Sequence, residues 1–282
     1  MKVISGSLVV AIFVLTLVPF LNGQKNASNL TAPGTQKVSE AQPPASCPHL
    51  FTSGKSSSNA YMQYCVSDDG MITSIQTPFG HYHLGDQGEG YGFCQESPAV
   101  AYYNYASGDS GNWNQPKVLS VSGSSIKISR SSVDGNWTLI QTISKVALTG
   151  SIKVVMALTN NQAVAKVAYL VRYAHVNPDG ATGYYVTGAS LQSAFGWYAF
   201  SNNPWDGIHY GLQLENAGAW SGYQQAFVQK ATTGPNPCAF AFNAITSGVA
   251  EDKMGSTSLV YAYVDTVPAH GTKTVTMTYR GT

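Results

Sequence analysis

From residue 272 to residue 279, threonine alternates with Lys273, Val275, Met277 and Tyr279, so one face of the segment is all threonine and the other largely apolar. A period of two is what a half-buried antiparallel strand requires, because successive side chains point to opposite faces of the sheet. Ile152, Val154, Met156 and Leu158 alternate in the same way with Lys153, Val155 and Ala157. Residues 165–173 are apolar more continuously and predict a buried strand; across the Asn160-Asn161 turn the two segments are expected to pair as a long hairpin. Turn signals recur along the chain at Asp69-Gly70, Asp134-Gly135, Pro178-Asp179-Gly180 and Ala269-His270-Gly271. Beyond the N-terminal segment no amphipathic helix of a dozen residues is found. The fold class that follows is all-β, a large antiparallel β-sandwich.

Composition agrees. The 282 residues include 17 Tyr and 28 Gly, 10% are charged and 44% hydrophobic, which suits a turn-rich β-protein with enough apolar mass for a core. The N-terminus carries Lys2, an apolar run over residues 8–18 broken only by Thr16, and small Gly23 before a polar stretch. These features predict a signal peptide over residues 1–23; the run is about half the length a membrane span needs. With Lys2 removed, 14 basic residues face 14 acidic ones. A balanced charge excludes attraction of polyanions by the chain as a whole, so nucleic acid is not an expected partner; no second apolar run follows the N-terminal one, so integral membrane association is not expected either. Residues 24–46, with Pro33, Pro43 and Pro44 and no apolar periodicity, read as a flexible polar leader. No linker divides residues 47–282, which are expected to form a single sandwich domain. Three N-x-S/T sequons, at Asn26, Asn29 and Asn136, matter where the host glycosylates exported proteins.

Cys47, Cys65, Cys94 and Cys238 are an even set in a chain expected to be exported, which predicts two disulfides with three possible connectivities. Cys65 and Cys94 both lie in short strand-like runs, which favours pairing them and leaves Cys47 for Cys238.

The succession Ile126-x-Ile128-x-Arg130, Trp137-x-Leu139 and the strand at 152–160 resembles the first half of a galactose-mutarotase-like supersandwich. The resemblance covers about a seventh of the chain and implies a fold only; no motif holding that family's catalytic residues can be aligned.

Four groups of residues bear on chemistry. Gly108-Asp109-Ser110-Gly111 matches the core of the chymotrypsin-like nucleophile signature. That family's Ala-Ala-His-Cys motif is absent upstream, so a turn before Trp113 is the simpler reading. His81 and His83, two apart, would share one face of a strand and could ligate one metal, with Glu89 following. An H-x-H followed by a glutamate resembles the first motif of the cupins, although no second cupin motif follows. His175, after an apolar strand, reads as a structural residue. Residues 195–223 hold Trp197, Tyr198, Trp205 and Trp220, interleaved with Asp206 and His209. Aromatic faces stack on sugar rings while amides and carboxylates bind hydroxyls, so this stretch is the candidate ligand site; filling of the sandwich core is its competing fate. Residues 201–207 form a turn-forming segment, in which Trp205 is harder to bury than on a strand.

The function these features point to is a secreted extracellular binding module for a neutral glycan, with no cofactor. The alternatives are a secreted structural or interaction sandwich without a small-molecule site, and a carbohydrate-active or metal-dependent enzyme.

Overall fold

A computed structural model describes residues 46–58, 60–180, 184–190, 192–199, 209–218, 223–230, 236–239 and 257–282. Every described strand pairing is antiparallel, and the strands lie within the unit Ser39–Thr282. The first three strands, β1 (His49–Ser53), β2 (Met62–Val66) and β3 (Ile72–Gln76), make a small sheet. Six strands form the second sheet: β4 (Leu84–Gln95), β5 (Val100–Tyr105), β6 (Gly108–Asp109), β11 (Lys166–Val176), β15 (Tyr223–Lys230) and β16 (Thr257–Val267). Their order is β15-β16-β11-β4-β5-β6. The third sheet contains β7 (Lys117–Val121), β8 (Ser125–Ser131), β9 (Trp137–Val146), β10 (Ser151–Asn160), β12 (Tyr184–Ala189), β13 (Ser193–Ala199), β14 (His209–Asn216) and β17 (Thr272–Gly281). Its order is β12-β13-β14-β17-β10-β9-β8-β7.

The alternating segments behave as their period demands. Val275, Met277 and Tyr279 of β17 stand beside Ile152, Val154 and Met156 of β10, and all six are buried. They meet Phe93, Leu170, Tyr261 and Tyr263 from the six-stranded sheet, and Met62, Tyr64 and Ile75 from the small one, in a single core. The protein is thus an antiparallel β-sandwich stapled by two disulfides.

The long hairpin expected across residues 152–173 is not formed. β10 pairs with β9 and β17, whereas β11 pairs with β4 and β16 in the other sheet. The Asn160 turn carries the chain from sheet to sheet. Asn160 is buried and donates from Nδ2 to the carbonyls of Val164 at 2.8 Å and Val267 at 3.2 Å, while its Oδ1 accepts from the Gln162 N–H. The difference in burial between the segments is the physical sign of this crossing: β10 hides one face, whereas β11 hides both along most of its length. On the face of β11 away from the main core, Val171 and Tyr173 join Tyr105, Val260 and Ala262 in a second buried cluster.

The disulfides also differ from the expected pairing: they are Cys47–Cys65 and Cys94–Cys238. Cys65 lies on β2 opposite Leu50 of β1, and Cys47 precedes β1 by two residues, so the Cα atoms come within 5.6 Å. Cys94 stands on β4 in a different sheet from Cys65 and meets Cys238 at a Cα separation of 4.8 Å. A strand-like run identifies a strand and says nothing about which sheet it joins.

A buried polar network ties the three sheets together. Glu89 on β4 accepts from Arg172 Nε on β11, from the Tyr279 hydroxyl on β17 at 2.9 Å and from the Ile72 N–H on β3 at 2.8 Å. Arg172 also donates to Gln141 Oε1 on β9 at 2.7 Å. Both members of the ion pair are fully buried. Burial pushes the Glu89 carboxyl up while Arg172 and the other donors pull against it; burial works against the Arg172 cation too, and the Glu89 charge overrides it.

Candidate functional site

The segment that follows β3 makes a tight turn: the Thr77 N–H donates to the His81 carbonyl at 2.9 Å and the His81 N–H to the Pro78 carbonyl at 3.1 Å. The chain then docks on the 3-10 turn Pro178–Gly180 at the end of β11. The Asp179 N–H donates to the Tyr82 carbonyl at 2.7 Å, and the Tyr82 N–H returns a bond to Asp179 Oδ1 at 2.9 Å. The other carboxylate oxygen of Asp179 holds His81 Nδ1 at 2.7 Å. Asp179 sits in the left-handed region, with φ 55° and ψ 16°. Aspartate tolerates that conformation better than most residues, and here its side chain is fully committed in return.

His81 is fixed on a third side. Its ring stacks on Tyr210 of β14 at 3.7 Å with an interplanar angle of 26°. Tyr210 lies opposite Tyr198 of β13, and the next pair, His209 with Ala199, closes the described part of the β13–β14 hairpin. The contact therefore joins the histidine segment to the aromatic stretch, two regions that are far apart in the sequence. Phe79, two residues before His81, is 56% exposed and makes an edge-to-face contact with Tyr61 at 5.3 Å.

His83 goes elsewhere. It is not on a strand sharing a face with His81; it is fully buried, with Nε2 on the Thr77 carbonyl and Nδ1 without a partner. Burial pushes its imidazole down to about 4. Glu89 is committed to Arg172. His81, His83 and Glu89 are therefore not brought together, and among the described residues no group of three His, Cys, Asp or Glu side chains could hold a metal ion. The expected metal set fails because Tyr82 makes only an isolated bridge to Gln76 there, so the two histidines do not alternate on a strand.

Of the aromatic candidates, Trp197 and Tyr198 are adjacent on β13 and point to opposite faces. Tyr198 stands on the side of Ala194, Leu212 and Leu214, whereas Trp197 stacks on Phe195 at 4.9 Å on the opposite face of the strand. They do not form one surface. Trp205, Asp206 and Trp220 lie outside the described residues, as does the side chain of His209. Ser110 accepts from the backbone amides of Tyr103 and Asn112, and Asp109 pairs with Arg130 at 3.1 Å, as a turn would have it. His175 is buried on β11 and packs against Gly85, where a Cβ would come within 2.5 Å of its ring.

The sequence pointed to His81 without its partners. Phe79 carries no motif; Asp179 was marked only by the Pro178-Asp179-Gly180 turn signal and Tyr210 only by its place in the aromatic stretch at 195–223.

No protein-family model and no curated protein matches the chain. Among solved structures it is similar to a bacterial glucoamylase complexed with acarbose, with a TM-score of 0.52 and 10% identity, over 91% of this chain and 34% of that one. A polysaccharide lyase gives 0.45 at 10% identity over 78% of this chain and 32% of that one. A putative aldose 1-epimerase from Escherichia coli K12 gives 0.41 at 12% identity over 83% of this chain and 99% of the other. The chain thus spans about a third of the length of the glucoamylase and lyase chains. At such identities the likeness to the glucoamylase is one of fold.

Proposed function

We propose that the protein is a secreted module that binds a neutral glycan at the end of the sandwich where His81 meets Tyr210. The observation that carries this reading is His81 itself: one ring nitrogen is held by Asp179, its face lies on Tyr210, and exposed Phe79 stands two residues away. A ring for stacking beside fixed polar atoms is the combination sugars require. The fold shared with a glucoamylase, a carbohydrate-processing enzyme by name, agrees with it. Two disulfides and the apolar N-terminal run support export to an oxidising compartment. Trp205 and Asp206, in the connection between β13 and β14, and Trp220 are proposed to contribute to the same ligand surface.

A pull-down against a panel of insoluble neutral glycans tests this reading. Retention of the protein, lowered several-fold in His81→Ala, Tyr210→Ala and Trp205→Ala variants that still fold, is the expected result. Retention of none sinks the reading and leaves a scaffold.

The His81–Asp179 contact also favours a second reading, a carbohydrate-active enzyme, because a carboxylate on Nδ1 fixes the tautomer that leaves Nε2 able to accept a proton. New reducing ends released from a retained glycan, and lost in His81→Gln, would select it.

A further inference from the structure

Basic and acidic residues nearly balance over the chain, 15 against 14, but not along it: residues 110–178 hold seven basic residues against Asp134 alone. The strands β7, β8, β9, β10 and β17 are consecutive neighbours in the eight-stranded sheet, and none of them contains an aspartate or a glutamate. Four of their cations are exposed: Lys117, Lys127, Lys153 and Arg280. Register puts them on one face. Lys117 stands opposite Ser129, two residues along β8 from Lys127. Lys127 stands opposite Thr142 of β9, itself opposite Val155, two residues along β10 from Lys153. Lys153 in turn stands opposite Thr278, two residues along β17 from Arg280. The cations thus descend one step at a time and draw a diagonal stripe across five strands. The stripe lies on the outer face, because the residues that alternate with it, among them Ile126, Ile128, Val154 and Met277, fill the core. Its Cα atoms lie about 8 Å apart, and about 12 Å apart where β9 intervenes.

A lysine on an edge strand guards that edge against stray pairing, and this accounts for Lys117 alone. Lys127 and Lys153 stand on strands with partners on both sides. Arg280 shares its charge with Glu215 of β14, Nε to Oε1 at 3.5 Å, so the three lysines carry the stripe. Like charges in line attract an elongated anion, and their spacing selects its kind. Duplex DNA carries one charge per about 1.7 Å of axis, far denser than the stripe. Readers of single strands add aromatic faces for the bases, whereas Trp137 and Tyr279, the aromatic residues of these five strands, are buried. A polysaccharide with one carboxylate in each disaccharide matches the spacing. Thr142 and Ser144 of β9, between Lys127 and Lys153, bring hydroxyls to the intervening sugar.

We propose that this stripe is a docking surface for a linear acidic polysaccharide of that kind, with its carboxylates on Lys117, Lys127 and Lys153. The surface is distinct from the site at His81 and stands whether or not a neutral glycan binds there. The test is biolayer interferometry of the whole protein on an immobilised polymer alternating glucuronate with N-acetylglucosamine. It is run at about 0.1 M and about 1 M salt, between which the Debye length falls from about 10 to about 3 Å. Binding should be present at the lower salt, lost at the higher, and lost to the same polymer once its carboxyl groups are reduced to alcohols. Lys127→Gln and Lys153→Gln should each weaken it about two- to fivefold, as removal of an exposed ion pair does. The triple change with Lys117→Gln should weaken it by about tenfold or more with Tm unchanged, since all three side chains are exposed. The triple change to arginine should retain binding, and His81→Ala should bind as the native protein does. No binding at the lower salt, equal binding after carboxyl reduction, or full binding by the triple glutamine variant each overturns the proposal. Tighter binding to single-stranded DNA or to phosphatidylserine vesicles, lost in the same triple variant, overturns the choice of partner and with it the proposal.

Discussion

At the scale of single residues, His81 and His83 show how two like side chains in one tripeptide part company. His81 faces Asp179 and Tyr210 at the surface, whereas His83 is buried and neutral. The folded imidazole of His83 lies at about 4, below its ordinary 6.5, so between these values the unfolded chain binds the extra proton. The stability it contributes is therefore fully present above pH 6.5 and is lost as pH falls through 4. The loss is about 3 kcal/mol, at 1.36 kcal/mol per unit. Urea unfolding at pH 7, 5 and 4 should show that loss in the native protein and a flatter profile in His83→Gln; parallel profiles would mean another group carries it. Asp179→Asn keeps a residue suited to the left-handed turn but loses the charge that holds His81 Nδ1. Glycan affinity should fall several-fold with Tm nearly unchanged, and a large drop in Tm would make Asp179 structural. Sequence pattern found both histidines and missed what separates them. Alternation on a strand would have aligned them, and the docking of Tyr82 on a turn almost a hundred residues later is invisible in local spacing.

At the scale of elements, strands were legible wherever the period of two was strict, as in β10 and β17. Their partners were not. Pairing is decided by faces that look alike in sequence, so β11 was assigned to the wrong sheet and Cys65 to the wrong cysteine. The Glu89–Arg172 pair is the clearest tie between elements, and nothing local announced it. Removing one partner leaves a buried charge uncompensated, so Arg172→Met should cost about 3–5 kcal/mol in urea unfolding. Arg172→Met combined with Glu89→Leu should cost less than the sum of the two single changes, and strict additivity would mean the charges do not act as a pair. The two disulfides differ by their loops. Their sequence separations are 144 for Cys94–Cys238 and 18 for Cys47–Cys65. Chain entropy assigns about 5 and 3 kcal/mol to them, so replacing both cysteines of the first bond by serine should lower stability more. The reverse order would point to strain or residual structure in place of loop length.

At the scale of the whole molecule, the near absence of helical periodicity and the abundance of tyrosine, glycine and threonine were enough for the architecture, because they leave an antiparallel sandwich as the compact solution. The end of the sandwich that carries His81 was legible only in part. It is assembled from a turn after β3, a turn after β11 and one strand of a distant hairpin, and such convergence has no signature along the chain. Intact mass of secreted material should show a chain beginning near Gln24 with no thiol open to alkylation before reduction; a retained N-terminus or a labelled cysteine would overturn the exported reading. The position of β17 sets a timetable for the ribosome. It lies between β14 and β10, in the interior of the larger sheet, so β10 waits for a neighbour made more than a hundred residues later. At about 5–20 residues per second that wait lasts roughly 6–20 s. Throughout it β10 exposes an unpaired edge, joined by β14 once that strand is made, and the growing chain depends on its surroundings to keep such edges from pairing with another copy's.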